Sequence, residues 1–598
     1  MGFTLIYLLS YLFLVGVDSS DITKLIFGSN TNGLPAAFGD FNSDELTDVF
    51  VLQDNERTVE ILLANEEEPL LRSAHPKPFR CTFNHSQITS VVPGDFDGDA
   101  FMDVLVTAIN TKNGSRRNVT NIHILWGGAT HLNCSDEDKP MLEMIGQPLA
   151  IDVNQDMIVD LFGEDIKHRR MFWIFKKDRS PPEQEAMEDN KSRPHLKRPH
   201  SHAFLDLNND YTADLFITSK PDFEIWHASE YEEKFIFNRT ISLPPDVHNG
   251  SYIGQASFID AELRGKMDLI LPVCIDSKEC KNSKLMMYSD GKWHNLQVEF
   301  KDDNGNSWRF AQIDGSKYTN VITLYHGDFN MDGYPDILTT LSPSDSDRPQ
   351  SFLLENVPCQ TACGNHKRSY KIKWNALNPF KNGTVLATFF DFYQDGILDV
   401  ILVTFDGKEY KSAAFKNTLD YDANFIKVMV LTGLSNKNNP TIMGRVGKKR
   451  RTYGTNLPGP RISYSTTTQE GNLRHAAAAQ LPQSAHFSLN LPYTIFGLGR
   501  TPNFVDFLTV GLSNNSKEWP QIIPNSQMVV IPWPTNQPNK WRAQLFVTPS
   551  KLILMSVAAL TGVCGLITLL IGVLYWKERQ EDKKERLSES HRFHFDAM

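Results

Sequence analysis

The chain has 598 residues, 41% of them hydrophobic, and carries Lys+Arg 60 against Asp+Glu 71 for a formal net charge of −11. That length has room for several domains with full apolar cores, and the acidic balance is not the signature of a nucleic-acid-binding protein. Seven cysteines, one of them (Cys564) inside an apolar C-terminal run, leave an even number, as expected of a secreted, oxidising environment.

Phe3 to Val17 is almost wholly apolar and is followed by Asp18-Ser19-Ser20. This predicts a cleaved signal peptide over residues 1–19, because the run is too short to span a bilayer comfortably. Leu25-Ile26-Phe27 reads as a strand with no partner nearby in sequence.

From Asp40 onward one nine-residue loop recurs, with its first Asp at Asp40, Asp95, Asp152, Asp206, Asp260, Asp328 and Asp391. Self-similarity at such a period marks a repeat architecture. Side-chain oxygens at positions 1, 3, 5 and 9 and the carbonyl at position 7 can converge on one hard cation, which predicts Ca2+. Five copies are complete: Asp40, Asn42, Asp44, Leu46, Asp48; Asp95, Asp97, Asp99, Phe101, Asp103; Asp152, Asn154, Asp156, Ile158, Asp160; Asp206, Asn208, Asp210, Thr212, Asp214; and Asp328, Asn330, Asp332, Tyr334, Asp336. Asp391, Asp395 and Asp399 form a reduced copy with Tyr393 at position 3, and in the copy with Asp260, Glu262 and Asp268 position 5 is Arg264, whose fixed charge competes with a metal. An EF-hand is excluded, since position 12 is Val51, Val106, Gly163, Ile217, Leu271, Thr339 or Leu402, never Glu. The flanks, such as Val49 to Leu52 and Val104 to Val106, are short apolar β-rich runs, so each loop joins two strands. Seven repeats of one sheet each predict a seven-bladed β-propeller over residues 20–432, in which Leu25–Phe27 is expected to close the ring against the last blade. Calcium is expected to staple each blade, with Leu398-Asp399-Val400 structural rather than an adhesive tripeptide.

Cys274 with Cys280 and Cys359 with Cys363 are near enough for local bridges, which leaves Cys81 with Cys134. Sequons at Asn84, Asn113, Asn118, Asn133, Asn190, Asn238, Asn249, Asn382 and Asn514 predict a glycosylated ectodomain. Arg179 to His202, rich in Pro, charge and His, reads as an exposed mobile loop. Lys448-Lys449-Arg450-Arg451 is a solvated basic patch or a convertase site that would release a soluble form. Strands expected at Arg461 to Tyr464, Tyr493 to Phe496, Phe504 to Leu512 and Met528 to Ile531 predict a smaller β-sandwich-like, membrane-proximal domain over 433–550. Leu552 to Trp576 is uncharged, long enough to cross a membrane, and followed by Lys577, Arg579, Lys583, Lys584 and Arg586. A single-pass type I protein of the cell membrane follows, with a cytoplasmic tail at 577–598.

The loops resemble the FG-GAP repeats of integrin α-chain propellers over about Ser20 to Leu431, and Phe496-Gly497-Leu498-Gly499 with Val505 to Val510 resembles the ASPIC/UnbV module. The whole order, with Gln544 to Ser550 before the membrane run, resembles the T-cell immunomodulatory protein family, also called linkin. That resemblance implies a cell-surface glycoprotein acting in cell adhesion and in modulation of T-cell function, with protein partners at the cell surface and a possible partner for the tail. The alternative is an extracellular propeller enzyme, a lyase or glycosidase, although no HExxH, GxSxG or glycine-rich phosphate loop occurs.

Overall fold

The computed structural model describes residues 20–593 apart from 76, 111–118, 129–130, 135–138, 188–192, 230–233, 249, 277–279, 312–320, 361–362, 365, 381–382, 419–422, 436–441, 444–448, 451–452, 469–470, 485–487, 501–503 and 548–550. The expected signal peptide, the sequons at Asn113, Asn118, Asn190, Asn249 and Asn382, and Lys448 and Arg451 of the basic run lie outside the described residues. The chain divides into two units, Met1–Phe546 and Val547–Met598.

In the first unit each acidic loop joins the first two strands of an antiparallel sheet, giving seven such sheets among the described residues. The second and third are fused through Leu142–Ile151, whose first residues pair with Thr120–Gly128 and whose last pair with Asp160–Glu164. The second strand of each sheet is covered on both faces by its neighbours, so it reads as an unbroken apolar run rather than an alternating one: Asp48–Gln53 and Asp268–Cys274 are buried almost throughout. Hydrophobic clusters pass from sheet to sheet. Phe50 packs with Val104, Leu105 with Leu161, Phe162 with Leu215, Phe216 with Leu271, and Ile270 with Ile337. Leu338, Val400, Leu402, Phe38 and Val49 then share one cluster, which brings the last sheets back to the first and closes the ring.

The closing element differs from the expected strand. Thr23–Phe27 is a short helix, with the Asp21 carboxylate accepting the Thr23 N–H at 3.0 Å. Three consecutive apolar residues carry no period that separates helix from strand. The flanks of the helix close the ring instead: the Ile22 N–H donates to the Ala414 carbonyl (3.0 Å) and the Gly33 N–H to the Tyr410 carbonyl (3.0 Å).

Residues 424–547 form two four-stranded sheets, one with Asn424–Val430 between Thr494–Gly499 and Ser526–Ile531, the other with Arg461–Thr467 between Leu473–Ala479 and Val505–Leu512. Ile426, Val428, Tyr464, Leu508, Val510 and Met528 meet between them, so this is the expected sandwich. Its first strand, however, is Asn424–Val430, which the sequence reading left with the propeller. That strand runs parallel to Ser526–Ile531, about a hundred residues on, a pairing that local pattern does not reveal.

From the sandwich, residues 480–484 and 488–492 enter the space inside the ring. The Ser484 hydroxyl accepts the Ala150 N–H (3.0 Å), Leu489 joins the cluster of Phe38 and Phe389, and Leu481 packs with Ala203 and Phe258, all on first strands of their sheets. Asn490 Nδ2 donates to the Pro482 carbonyl at 2.9 Å and ties the segment to itself.

Bridges join Cys81 to Cys134, Cys274 to Cys280 and Cys359 to Cys363, as expected, and Cys564 is free. The expected mobile loop at 179–202 is largely structured where described. Glu183–Ala186 pairs with Arg170–Ile174, Leu196 and His200 are buried, and the Arg193 guanidinium lies over the Phe237 ring at 4.6 Å. Leu196, Met187 and stacked imidazoles anchor a segment whose composition alone looks core-less. Leu398, Asp399 and Val400 are all buried. In the second unit, Lys551–Phe593 is one helix, whose Ser556–Glu589 stretch is long and apolar enough to cross a membrane. The charged segment after Trp576 continues as helix.

Candidate metal centres

Each acidic loop is the same hairpin. The residue before position 1 pairs with position 9 every time: Gly39 with Asp48, Gly94 with Asp103, Ile151 with Asp160, Leu205 with Asp214, Ile259 with Asp268, Gly327 with Asp336 and Phe390 with Asp399. Within the first loop, Asp40 accepts the N–H groups of Asp44 (3.0 Å) and Glu45 (2.8 Å), and Asp44 accepts that of Leu46 (2.9 Å). Asp48 accepts from Phe41 (2.8 Å) and from Ala64 on the third strand (2.8 Å), which ties the loop to the sheet.

Position 6 is left-handed in all copies, with φ of 68° at Glu45, 71° at Ala100, 71° at Met157 and 68° at Tyr211, and Gly at the other three. Side chains other than Gly resist this conformation at about 1–2 kcal/mol each. The position-1 carboxylate holds it by accepting the position-6 N–H, at 2.9 Å for Asp95, 3.1 Å for Asp152, 3.0 Å for Asp206 and 2.7 Å for Asp328. The turn therefore forms without glycine in four of the seven copies.

The acids are crowded and dry. Metal-ligating oxygens of Asp95, Asp97 and Asp99 lie within 4.8 Å of one another. Burial first, and then the Asp97 charge, pushes the Asp95 carboxyl up to about 8. Burial raises Asp160 to about 7, and burial with Asp332 raises Asp328 to about 7. Asp40, Asp48, Asp103, Asp152, Asp336 and Asp399 are all held well above the carboxylate range, with burial the main cause. Asp328 Oδ1 and Asp399 Oδ2 are buried acceptors with no hydrogen-bond partner among the described residues. The converging oxygens of the Asp95 loop and the desolvated, orphaned ones of Asp328 and Asp399 fit a divalent hard cation, which would supply the positive charge these carboxylates lack. The Asn at position 3 in four of the five complete loops stays beside position 5, Asn42 Nδ2 donating to Asp44 Oδ2 at 3.0 Å.

Several loops also meet a protein cation. The Arg264 guanidinium sits among Asp268 (2.6 Å), Asp290 (2.5 Å) and Glu262 (3.4 Å), filling its own loop. Arg179 reaches Asp97 and Asp99. From the sandwich, Lys427 Nζ lies 3.0 Å from Asp391 Oδ2 and 3.9 Å from the centre of the Tyr493 ring, and Arg461 Nη1 lies 3.0 Å from Asp206 Oδ2. Backbone N–H groups of Ala477 and Gly497 donate to Asp260 (3.2 Å) and Asp328 (3.0 Å). The face of the ring that carries the acids is thus the face on which the sandwich docks. Lys427, Arg461 and Arg474, which donates to the Asp332 carbonyl, were not legible as site residues. Nothing in their spacing ties them to loops 36 to 255 residues away. Asp152, Asp156 and Asp160 have no ion pair among the described residues, and no Lys or Arg offsets the burial that raises Asp152 and Asp160. Asn84, Asn133, Asn238 and Asn514 are exposed, as glycosylation requires.

Family models match at two places: "FG-GAP-like repeat" at residues 40–106 and "ITFG1, C2 domain" at residues 452–546. The second match spans the residues that resemble the ASPIC/UnbV module, whose Gly497-Leu498-Gly499 lies on the sandwich strand Thr494–Gly499. The chain is similar to the T-cell immunomodulatory protein of Homo sapiens, 39% identical over 97% of this chain and 94% of that protein. It is also similar to protein linkin of Caenorhabditis elegans, 27% identical over 99% of this chain and all of that protein. Among solved structures, AofleA from Arthrobotrys oligospora aligns over 56% of this chain and 84% of its own at 12% identity, with a TM-score of 0.30 that is too low to bear on function.

Proposed function

This chain belongs to the T-cell immunomodulatory protein family, and on that premise we propose that it is a membrane-anchored extracellular recognition platform. Its propeller is stiffened by calcium in the acidic loops, and it serves cell adhesion and modulation of T cells through a protein partner. The observation that supports the calcium reading is the recurrence of one hairpin with buried carboxylates; in the Asp95 loop three carboxylates converge within 4.8 Å of one another. The immune role rests on what the mammalian relatives are called. Single-pass anchoring rests on the apolar helix in Lys551–Phe593.

A channel enzyme is the weaker reading, because residues 480–484 and 488–492 occupy the space where a propeller would hold substrate. The test displays the full-length chain on cells and measures their adhesion to T cells in calcium and in EDTA. Adhesion above untransfected cells that falls in EDTA supports the proposal. Adhesion equal to untransfected cells in calcium would sink it.

A further inference from the structure

We propose a second metal centre, for a borderline transition ion such as zinc, formed by Glu164, His168 and His195. Their ligating atoms all lie within 4.8 Å of one another. His168 Nδ1 is 3.4 Å from Glu164 Oε2, and His195 Nδ1 is 3.5 Å from Glu164 Oε1. An ion about 2.0–2.2 Å from each donor in a tetrahedron needs donor–donor edges of about 3.4 Å; each imidazole lies at about that separation from a different oxygen of the Glu164 carboxylate, and one carboxylate oxygen lies within 4.8 Å of both ring nitrogens. Two imidazoles with one carboxylate are the donor set of zinc and its neighbours, whereas calcium takes oxygen.

The site is built from two directions. Glu164 ends the strand Asp160–Glu164 and His168 lies in the following hairpin, with φ of 62°, a conformation few side chains accept. His195 arrives from the connection to the fourth sheet, where its carbonyl accepts the Lys220 N–H (3.1 Å) and the next residue, Leu196, is buried in the core. The Leu196 N–H donates to Glu164 Oε1 at 2.9 Å and orients the carboxylate.

Neighbouring cations are already taken. Arg170, directly across the ladder from Glu164, is held by Glu224 through bonds of 2.8 and 2.9 Å, and Arg169 by Asp165 at 2.7 Å. Glu164 is 1% exposed at its side chain while His168 and His195 are 43% and 59% exposed, so a fourth position opens to solvent or to a partner. The hairpin lies at the opposite end of its sheet from the Asp152 loop, so this centre sits on the ring face away from the sandwich.

The test is zinc titration of the detergent-solubilised full-length chain in millimolar calcium, which keeps the acidic loops filled. Wild type binds zinc with a stoichiometry one equivalent higher than His168→Asn or His195→Asn. Each substitution weakens that equivalent by about a hundredfold or more, since even outer-shell changes at metal sites cost about 10–100-fold. Cobalt substituted at the same equivalent gives tetrahedral or five-coordinate d–d bands that the His variants lose. Both histidines are exposed, so the variants keep the metal-free melting temperature, and Glu164→Gln is read only if it does so too. Zinc stoichiometry and affinity unchanged in both His variants, or no zinc bound at all, overturns the proposal.

Discussion

Replacing Lys427 with Met tests the join between propeller and sandwich. The ammonium is buried, with side-chain exposures of 1% for Lys427 and 0% for Asp391, and it also donates to Gln394 Oε1 at 2.7 Å. Met keeps most of the stem's packing but leaves Asp391 without its cation. Removing one partner of a buried pair costs about 3–5 kcal/mol, and the lost contact with the Tyr493 ring lies inside that figure. In EDTA, chemical denaturation of the full-length variant should therefore show a loss of about that size. In calcium the loss should shrink, because Asp391, Asp395 and Asp399 can then take a divalent ion in place of the ammonium. A variant as stable as wild type in EDTA would refute the reasoning, since an unpaired buried carboxylate cannot be free of cost.

Acid sensitivity should come from the imidazoles inside the ring. His200 and His202 stack at 4.0 Å, and each accepts a backbone N–H on Nδ1, from His202 at 3.1 Å and from Thr218 at 2.9 Å, so neither has room for a second proton. Burial lowers His200 and His326 to about 4. A lowered histidine contributes stability that is complete above the unfolded value near 6.5 and lost as pH falls toward 4, roughly 3 kcal/mol for His200 alone. Because the acidic loops titrate alike in both proteins, the melting temperature of wild type should fall relative to that of His200→Gln across that window; equal slopes would contradict this. Gly497→Ala should undock the sandwich edge, because a Cβ there would lie 2.0 Å from Asp328 Oδ2 and 2.6 Å from the Met331 backbone. A cost of about 1–3 kcal/mol or more is expected, seen as earlier protease cleavage between the domains, and unchanged cleavage would count against the contact. Cys81→Ser with Cys134→Ser opens a bridge between residues 53 apart, so unfolding free energy should fall by roughly 4 kcal/mol on chain-entropy grounds; no measurable fall would place the bridge's effect elsewhere.

What the sequence carried was the chemistry packed into nine consecutive residues. Asp95 through Asp103 names its own turn and its own closing pair, and the flanking apolar runs name strands buried on both faces. Local bridges such as Cys359 with Cys363 were legible for the same reason. What escaped was set by contacts distant along the chain. Asn424–Val430 looks like one more blade strand until Ser526–Ile531 is beside it, and Lys427 looks like a solvated charge until it is seen against Asp391. Leu196 and the histidines around it fold a polar stretch because Leu196, with Met187, reaches the next sheet's core. The helix at Thr23–Phe27 was missed because three residues hold less than one helical turn of pattern.

The claim under most of this account is that the recurrent acidic hairpins are calcium sites, and counting bound calcium tests it most directly. Equilibrium dialysis of the full-length chain at millimolar calcium should find more than one ion per chain. Asp152→Ala with Asp160→Ala, in the loop free of ion pairs, should remove one of them while the remainder stay. A chain that binds no calcium under these conditions, or a loop variant that binds as many ions as wild type, would contradict it.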